Sequence, residues 1–137
     1  MVDIEAIKAS TERFHLGQDT ACDFHKELFT QHPEIRSFFD AEDLEPDQLV
    51  KSRKFVMIGI EFLQSFLGLH RTYGTNGFQS SVGSLVGNLK EDFSLPLAEF
   101  KKFTGAVTAF LKCNEAEKKA WTAYMDEIYA IAEKKGM

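Results

Sequence analysis

The sequence predicts an all-α protein. Apolar residues recur at helical spacing through nearly the whole chain, and no stretch alternates apolar and polar residues as a half-buried strand does. Prolines and glycines divide the chain into about seven to eight segments joined by short loops. The 137 residues suit one domain, since single domains commonly have about 100–200 residues. We therefore expect residues 1–137 to form one all-α domain, with a core rich in the chain's thirteen phenylalanines.

The first two predicted helices lie on either side of Gly17. The first helix spans about Asp3 to His15, and Asp19-Thr20 can cap the second helix. Pro33 ends the second helix, because proline cannot extend a helix, and it is well suited to begin a short new one. An acidic loop, Ala41 to Glu45, follows.

The middle of the chain contains the longest predicted helix. Pro46 stands where a first helical position would be, and this helix runs to about Leu69. Gly74 to Gly77 is a turn by composition. Phe78 to Glu91 has helical spacing but contains serines and glycines, and each interior glycine costs ~1 kcal/mol relative to alanine. We therefore expect this segment to be the least stable helix.

Two further helices complete the prediction. Pro96 opens a helix that ends near Cys113, Asn114 can cap the last helix, and Gly136 lies at its end. The residues predicted to face inward here are Phe100, Phe103, Val107, Phe110, Trp121, Tyr124, Met125, Ile128 and Ile131.

Charge and composition exclude several classes of partner. The net charge is −5 and basic residues alternate with acidic ones, so we expect no nucleic-acid partner. No stretch approaches the ~18 apolar residues of a membrane span, so we expect no membrane partner. The first residues resemble no secretion signal, which predicts a cytoplasmic protein. Secretion after removal of a leader stays open, as does the oligomeric state.

No catalytic or metal-binding pattern stands out. The chain has no Gly-x-Ser-x-Gly, no phosphate-binding loop and no paired carboxylates on an apolar face, so we do not expect an enzyme. Cys22, His25 and His32 have spacings that can bring side chains together, but no second pair completes a zinc site. We therefore expect no metal, and two reduced cysteines.

An ordered set of motifs resembles the globin family over nearly the full length, and nematode globins most. These motifs are Leu28-Phe29-Thr30-Gln31-His32-Pro33-Glu34, Phe38-Phe39, Val50-Lys51-Ser52-Arg53-Lys54-Phe55 leading to Gly59, Pro96, Phe103-Thr104-Gly105 and Ala120-Trp121. The resemblance implies a globin-like fold of about seven to eight helices.

The resemblance also assigns residues to the positions that surround haem in globins. Counting back from Pro96, the slot of the iron-binding histidine falls on Leu89, and the distal polar slot falls on Ile58. Phe39 falls where globins place a phenylalanine against haem, and His25 falls where nematode globins usually have a distal tyrosine. The full set of former haem-pocket positions is His25, Phe39, Ile58, Phe62, Leu85, Leu89 and Phe103.

These substitutions argue against haem. Iron needs an imidazole, thiolate, thioether or phenolate ligand; Leu89 offers none, and the last of the four histidines is His70. Ile58 cannot hydrogen-bond bound oxygen, and Phe62 would occupy part of the cavity. We therefore expect a haem-free globin-fold protein with no cofactor, which binds a small hydrophobic ligand or a protein partner.

Two questions stay open in the sequence. The alternative function is a haem globin, for oxygen binding, transport or redox chemistry, with a non-standard iron ligand such as His25. We expect His25 to be a core histidine bonded to a carbonyl or a water; the alternative is that it lines a pocket, where it hydrogen-bonds a ligand headgroup or binds a metal from the distal side. Whether the former haem cavity is filled or open also depends on packing.

Overall fold

The computed structural model describes residues 2–137, and in that range it consists of helices and loops without a strand. The α-helices are α1 (Ile4–Glu12), α2 (Asp23–Gln31), α3 (Arg53–Phe66), α4 (Asn76–Phe93), α5 (Leu97–Phe100), α6 (Phe103–Phe110) and α7 (Glu115–Lys134). The 3-10 helices are Pro33–Phe39, Pro46–Lys51 and Leu69–Thr72. The predicted all-α class is confirmed. Between residues 2 and 137, no helix combines the length and the apolar composition needed to cross a lipid bilayer.

The boundary between α1 and α2 differs from the prediction. Asp3 caps α1 by accepting a hydrogen bond from the Ala6 N–H at 3.2 Å. The Thr20 hydroxyl does not cap a helix; it accepts a hydrogen bond from the Gly17 N–H and donates one to the His15 carbonyl. This local bonding closes a turn in place of a helical start, so α2 begins only at Asp23.

The predicted long helix from Pro46 to Leu69 is wrong, because Ser52 interrupts it. The Ser52 backbone is extended, and its hydroxyl accepts a hydrogen bond from the Phe55 N–H, as an N-cap does. The segment is therefore the Pro46–Lys51 3-10 helix followed by α3. The longest helix is α7, with 20 residues.

The helix predicted to be weak is longer than expected. α4 has 18 residues, and the Thr75 hydroxyl caps its start by accepting a hydrogen bond from the Gly77 N–H. Ser94, with a left-handed φ of 53°, ends α4, so the helix includes Phe93. The predicted Pro96–Cys113 helix is instead two helices, α5 and α6.

The second helix is the centre of the core. Gly59 of α3 allows a close crossing there, because a Cβ at Gly59 would lie 1.9 Å from the Ala21 carbonyl oxygen, just before α2. On its other side α2 packs along α6, where the Gln31 amide donates to the Gly105 carbonyl at 3.2 Å. This position buries the side chains of α2 that face inward, including His25.

The last helix packs on the first. Asn114 and Glu117 form the predicted capping at the start of α7, with each side chain accepting the other's backbone N–H. The Glu117 carboxylate also accepts two hydrogen bonds from the Arg13 guanidinium. Deeper in the core, the Trp121 indole N–H donates to the Ser10 hydroxyl at 2.8 Å.

Candidate functional site

A cavity of about 620 Å³ lies between α3 and α4. The helices turn mainly apolar side chains toward it: Ile58 and Phe62 on α3, and Leu85, Leu89 and Phe93 on α4. Exposed polar side chains form its rim, namely Lys54, Glu61, Gln64, Ser65, Asn88 and Asp92, beside the exposed Met57. The site is thus an apolar pocket with a polar mouth, the usual form of a small-molecule site.

Six of the seven positions predicted from the resemblance line this one cavity: His25, Phe39, Ile58, Phe62, Leu85 and Leu89. The seventh, Phe103, does not. Its ring packs against Phe62 at a centroid distance of 5.9 Å and against Phe24 at 5.2 Å. Phe103 is therefore a core residue behind the cavity wall, because these two rings fill the space in front of it.

One wall of the cavity is a stripe on α4. Leu85, Leu89 and Phe93 are four residues apart, which places them on one face of the helix. Leu89 is only 4% exposed, and α4 contains no histidine, cysteine, methionine or tyrosine. The wall therefore presents hydrocarbon and no side chain that coordinates iron.

Phe93 was missed by sequence reasoning, because the predicted helix ended at Glu91. Its ring lies 4.5 Å from that of Phe39, centroid to centroid. The signal that could have found it is its spacing of four residues from Leu89. The contact joins the end of α4 to the Pro33–Phe39 segment and narrows this side of the cavity.

Phe62 forms the inner surface from the α3 side. Its ring stacks on Phe66, with centroids 5.2 Å apart and planes at 13°, and on Phe24 at 5.0 Å and 24°. Such offset stacks hold a ring in one orientation. Phe62 thus occupies part of the interior, as predicted, while leaving the space toward α4 open.

His25 is the polar group in the buried wall. The residue is 1% exposed, and within residues 2–137 its Nδ1 has no hydrogen-bond partner. The rings that surround it, with centroids at 5.1 to 6.5 Å, are Phe24, Phe29, Phe39, Phe55 and Phe62. Burial among these rings lowers the pKa of His25 to about 4, so the imidazole is neutral at neutral pH.

No carbonyl of the described residues bonds Nδ1 of His25, so the carbonyl form of the expected core histidine is not found at this atom. Helix α2 places His25 beside apolar rings, and no backbone carbonyl of residues 2–137 meets this atom. A buried polar atom without a partner is uncommon in folded proteins.

The described residues offer little other reactive chemistry. Residues 2–137 contain no group of three or more His, Cys, Asp and Glu side chains placed to hold a metal ion. Cys22 is buried and free, and burial raises the pKa of its thiol to about 11. At neutral pH it is therefore a thiol, a poor nucleophile and metal ligand.

A second cavity, of about 680 Å³, lies between α1 and the end of α3. It is lined partly by exposed charged side chains, including Glu5, Lys8 and Arg71. It contains none of the predicted site residues, and the two buried side-chain atoms without partners in residues 2–137, in His25 and Tyr124, lie outside its lining. The cavity between α3 and α4 is therefore the stronger candidate.

Comparison with known proteins assigns the chain to a family. Residues 22–132 match the family model described as Globin. A hexa-coordinate haemoglobin of Drosophila melanogaster, described for cyanide binding and haem-cavity transitions, superposes with a TM-score of 0.74 at 15% identity. That match covers 96% of this chain and 91% of the other. A second Drosophila melanogaster globin gives a TM-score of 0.67 at 16% identity, covering 96% and 86%.

No curated protein sequence matches the chain significantly. At 15–16% identity the two structures establish the shared fold alone. The particular similarity to nematode globins stays a prediction.

Proposed function

Since this chain belongs to the globin family, we propose that it is a haem-free binding module whose cavity takes a small hydrophobic ligand. The observation that supports this proposal most directly is the α4 wall, where Leu85, Leu89 and Phe93 face the cavity with no iron ligand among them. The volume of about 620 Å³ falls within the ~300–1,000 Å³ typical of small-molecule sites.

The remaining lining residues fit haem poorly. Ile58 lines the cavity from α3 and offers no hydrogen bond to a gas molecule. Phe62 takes up interior space, and the contact between Phe39 and Phe93 narrows one side of the cavity. The cavity therefore suits a compact apolar molecule better than it suits haem held from α4.

One observation favours a second candidate, a haem globin for oxygen binding, transport or redox chemistry. His25 supplies a neutral imidazole in the cavity wall, and neutral imidazole is the form that binds iron. In this reading His25 would hold the iron from the α2 side. We rank it second, because Phe62 takes up interior space that haem would need and Ile58 offers no hydrogen bond to a bound gas.

Other parts of the proposal follow from the sequence. We propose that the protein is not an enzyme, that it binds no metal, and that it acts in the cytoplasm. A protein partner is the variant of the proposal that would apply if the cavity were filled. The open volume between α3 and α4 supports the small ligand instead.

Absorbance of the purified protein tests the first candidate against the second. We expect no haem band from protein expressed with sufficient iron, and no saturable band on titration with haemin. A stoichiometric haem band that is lost in His25→Leu would overturn the proposal and establish the second candidate.

A histidine introduced at position 89 tests the assignment of Leu89 to the iron-binding position. Leu89→His should gain haemin affinity over the parent, or should do so together with Phe62→Val if Phe62 blocks the cavity. Lys90→His is the matched control, because the adjacent Lys90 is exposed and absent from the cavity lining. If the parent, the control and both Leu89 variants bind haemin with equal affinity, the assignment of Leu89 to the iron-binding position is wrong.

A further inference from the structure

We propose that the cavity between α3 and α4 selects an uncharged, flat ligand that carries one hydrogen-bonding group, and that this group bonds the imidazole of His25. This inference rests on the proposed function and names the ligand class of that same site. It is carried by the position of one unpartnered polar side chain in an otherwise apolar buried wall.

The need for a polar group on the ligand comes from His25. A neutral imidazole has one N–H donor and one acceptor nitrogen. Nδ1 of His25 is buried, finds no partner within residues 2–137, and belongs to a side chain that lines the cavity. A pure hydrocarbon in the cavity would offer the imidazole no polar partner, whereas a ligand with an N–H, O–H or ether oxygen would bond the ring nitrogen that faces the cavity.

The need for a neutral ligand comes from where the charges lie. Among the lining residues, the charged side chains Lys54, Glu61 and Asp92 are all exposed at the mouth. No buried lining residue carries a formal charge at neutral pH, because burial keeps the His25 imidazole neutral. An ion placed in the interior would lose its hydration without meeting an opposite charge, which is strongly unfavourable.

The shape of the ligand follows from the walls. The rings of Phe39, Phe62 and Phe93 line the cavity, and Leu85 and Leu89 form the surface across from Phe62. Aromatic rings pack well against other flat rings, in stacked or edge-on geometry. A bicyclic aromatic molecule with a single polar atom therefore combines the features that the cavity recognises.

Three molecules of almost the same shape separate these features. Indole carries an N–H donor, benzofuran carries an acceptor oxygen in the same ring position, and indene carries neither. The experiment measures the dissociation constant of each by calorimetry at neutral pH, for the parent protein, for His25→Leu and for Ser84→Leu. Ser84→Leu is the matched control, because Ser84 is an exposed polar residue of α4 outside the cavity lining.

The parent should bind indole or benzofuran about tenfold more tightly than indene, as expected for one hydrogen bond to an otherwise unpaired buried group. Which of the two binds better reports whether the imidazole accepts or donates. In His25→Leu the three molecules should bind with equal affinity, and in Ser84→Leu the preference should persist.

Other outcomes contradict the inference in distinguishable ways. Equal binding of all three by the parent would overturn the polar contact and leave the hydrophobic binding module standing. A preference that persists in His25→Leu would place the polar contact elsewhere. No binding of any of the three would overturn the proposed function as well.

A second measurement applies if His25→Leu does not fold. The imidazole nitrogen resonances of His25 in the parent, followed by NMR, should shift on addition of the tighter-binding polar ligand, and much less with indene. Equal shifts with both molecules would overturn the inference without any variant.

Discussion

His25 introduces a polar ring into the aromatic part of the core. Phe24, Phe29, Phe39, Phe55 and Phe62 surround it, and its Nδ1 is unpaired within residues 2–137. An apolar side chain at this position would avoid the cost of an unpaired buried nitrogen, about 1–3 kcal/mol. The residue therefore has a stability cost, which the proposed ligand contact would relieve.

Protonation of His25 should destabilise the fold in acid. Its folded pKa of about 4 lies below the ordinary value of 6.5, so the unfolded chain takes up the proton first as the pH falls. The contribution of neutral His25 to the free energy of unfolding is therefore fully present above pH 6.5. It decreases by about 3 kcal/mol as the pH falls to 4, since each pKa unit corresponds to ~1.4 kcal/mol. Urea unfolding at several pH values, in the parent and in His25→Leu, checks this. Identical pH dependence of the two proteins would contradict it.

The Ser10 hydroxyl makes two buried hydrogen bonds, donating to the Ile7 carbonyl and accepting from the Trp121 indole N–H, and its removal should be costly. Ser10→Ala leaves the buried Trp121 indole N–H without its acceptor, and we expect a loss of about 1–3 kcal/mol in the free energy of unfolding. Ser80→Ala is the control, because Ser80 is an exposed residue of α4 and should change stability by less than about 0.5 kcal/mol. Urea denaturation of both variants measures the difference.

Two helical glycines differ in the space that surrounds them. At Gly59, a methyl group would meet the Ala21 carbonyl oxygen at 1.9 Å, so the close crossing of α3 over the start of α2 would have to open. At Gly87 of α4, a methyl group would meet nothing within 4 Å.

Alanine at these two glycines should therefore have opposite effects. Gly59→Ala should destabilise the protein by about 3 kcal/mol or more, because backbone cannot move aside as a side-chain tip can. Gly87→Ala should stabilise it by about 0.5–1 kcal/mol, since alanine restricts the unfolded chain and favours the helix. Thermal unfolding of both variants tests the pair. A stable Gly59→Ala protein would show that the crossing is looser than described.

The fourth helix should be the most easily opened of the long helices. α4 contains Gly77, Gly83 and Gly87, and one of its faces borders the cavity in place of a packed neighbour. We expect its amides to exchange with solvent faster than those of α3, and a bound apolar ligand to slow them. Hydrogen exchange with and without indole measures this. Equal protection of α3 and α4 would contradict the expectation.

At the level of the whole molecule, α1 and α7 hold the two ends of the chain together. Arg13 donates to the Glu117 carboxylate and to the Leu111 carbonyl, at 3.0 Å for the latter. The hydrogen bonds from Arg13 lower the pKa of Glu117, although burial opposes this shift. The stabilisation is therefore present above the ordinary carboxyl pKa and is lost as the pH falls through the lowered value.

Acid unfolding should consequently show two stages with different origins. His25→Leu should reduce the decrease in unfolding free energy between pH 6.5 and about 4. Glu117→Gln should reduce the decrease below the ordinary carboxyl pKa of 4.5. Glu117→Gln should also lower stability at neutral pH, because it removes a charge-assisted contact. Unfolding free energies of the two single variants and the double variant test this. The double variant should show both changes, because the two substitutions remove different titratable groups.

Much of the fold could be read from local residue chemistry. Pro33 ends α2 near Gln31, and Asn114 caps α7, as predicted, because these effects depend on a few neighbouring residues. The start of α2 and the break at Ser52 were missed. Both depend on a competition between two local hydrogen-bond patterns that periodicity does not distinguish.

The candidate site was predicted in part. Spacing placed Leu85 and Leu89 on one apolar helix face, and the resemblance to globins assigned that face to the pocket. Phe103 was expected at the cavity but is absent from its lining, and Phe93, for which no role was predicted, lines it. Their positions depend on how Phe62 and Phe39, which are distant in sequence, fill the space beside them.

The sequence by itself determined the all-α class, the resemblance to globins and the absence of histidine after His70, since these depend only on residue identity and order. Tertiary structure decided that about 620 Å³ stays open between α3 and α4, and that Nδ1 of His25 lacks a partner in residues 2–137. Cavities and unpaired atoms result from packing between distant segments, in which small differences in ring orientation decide whether space is filled.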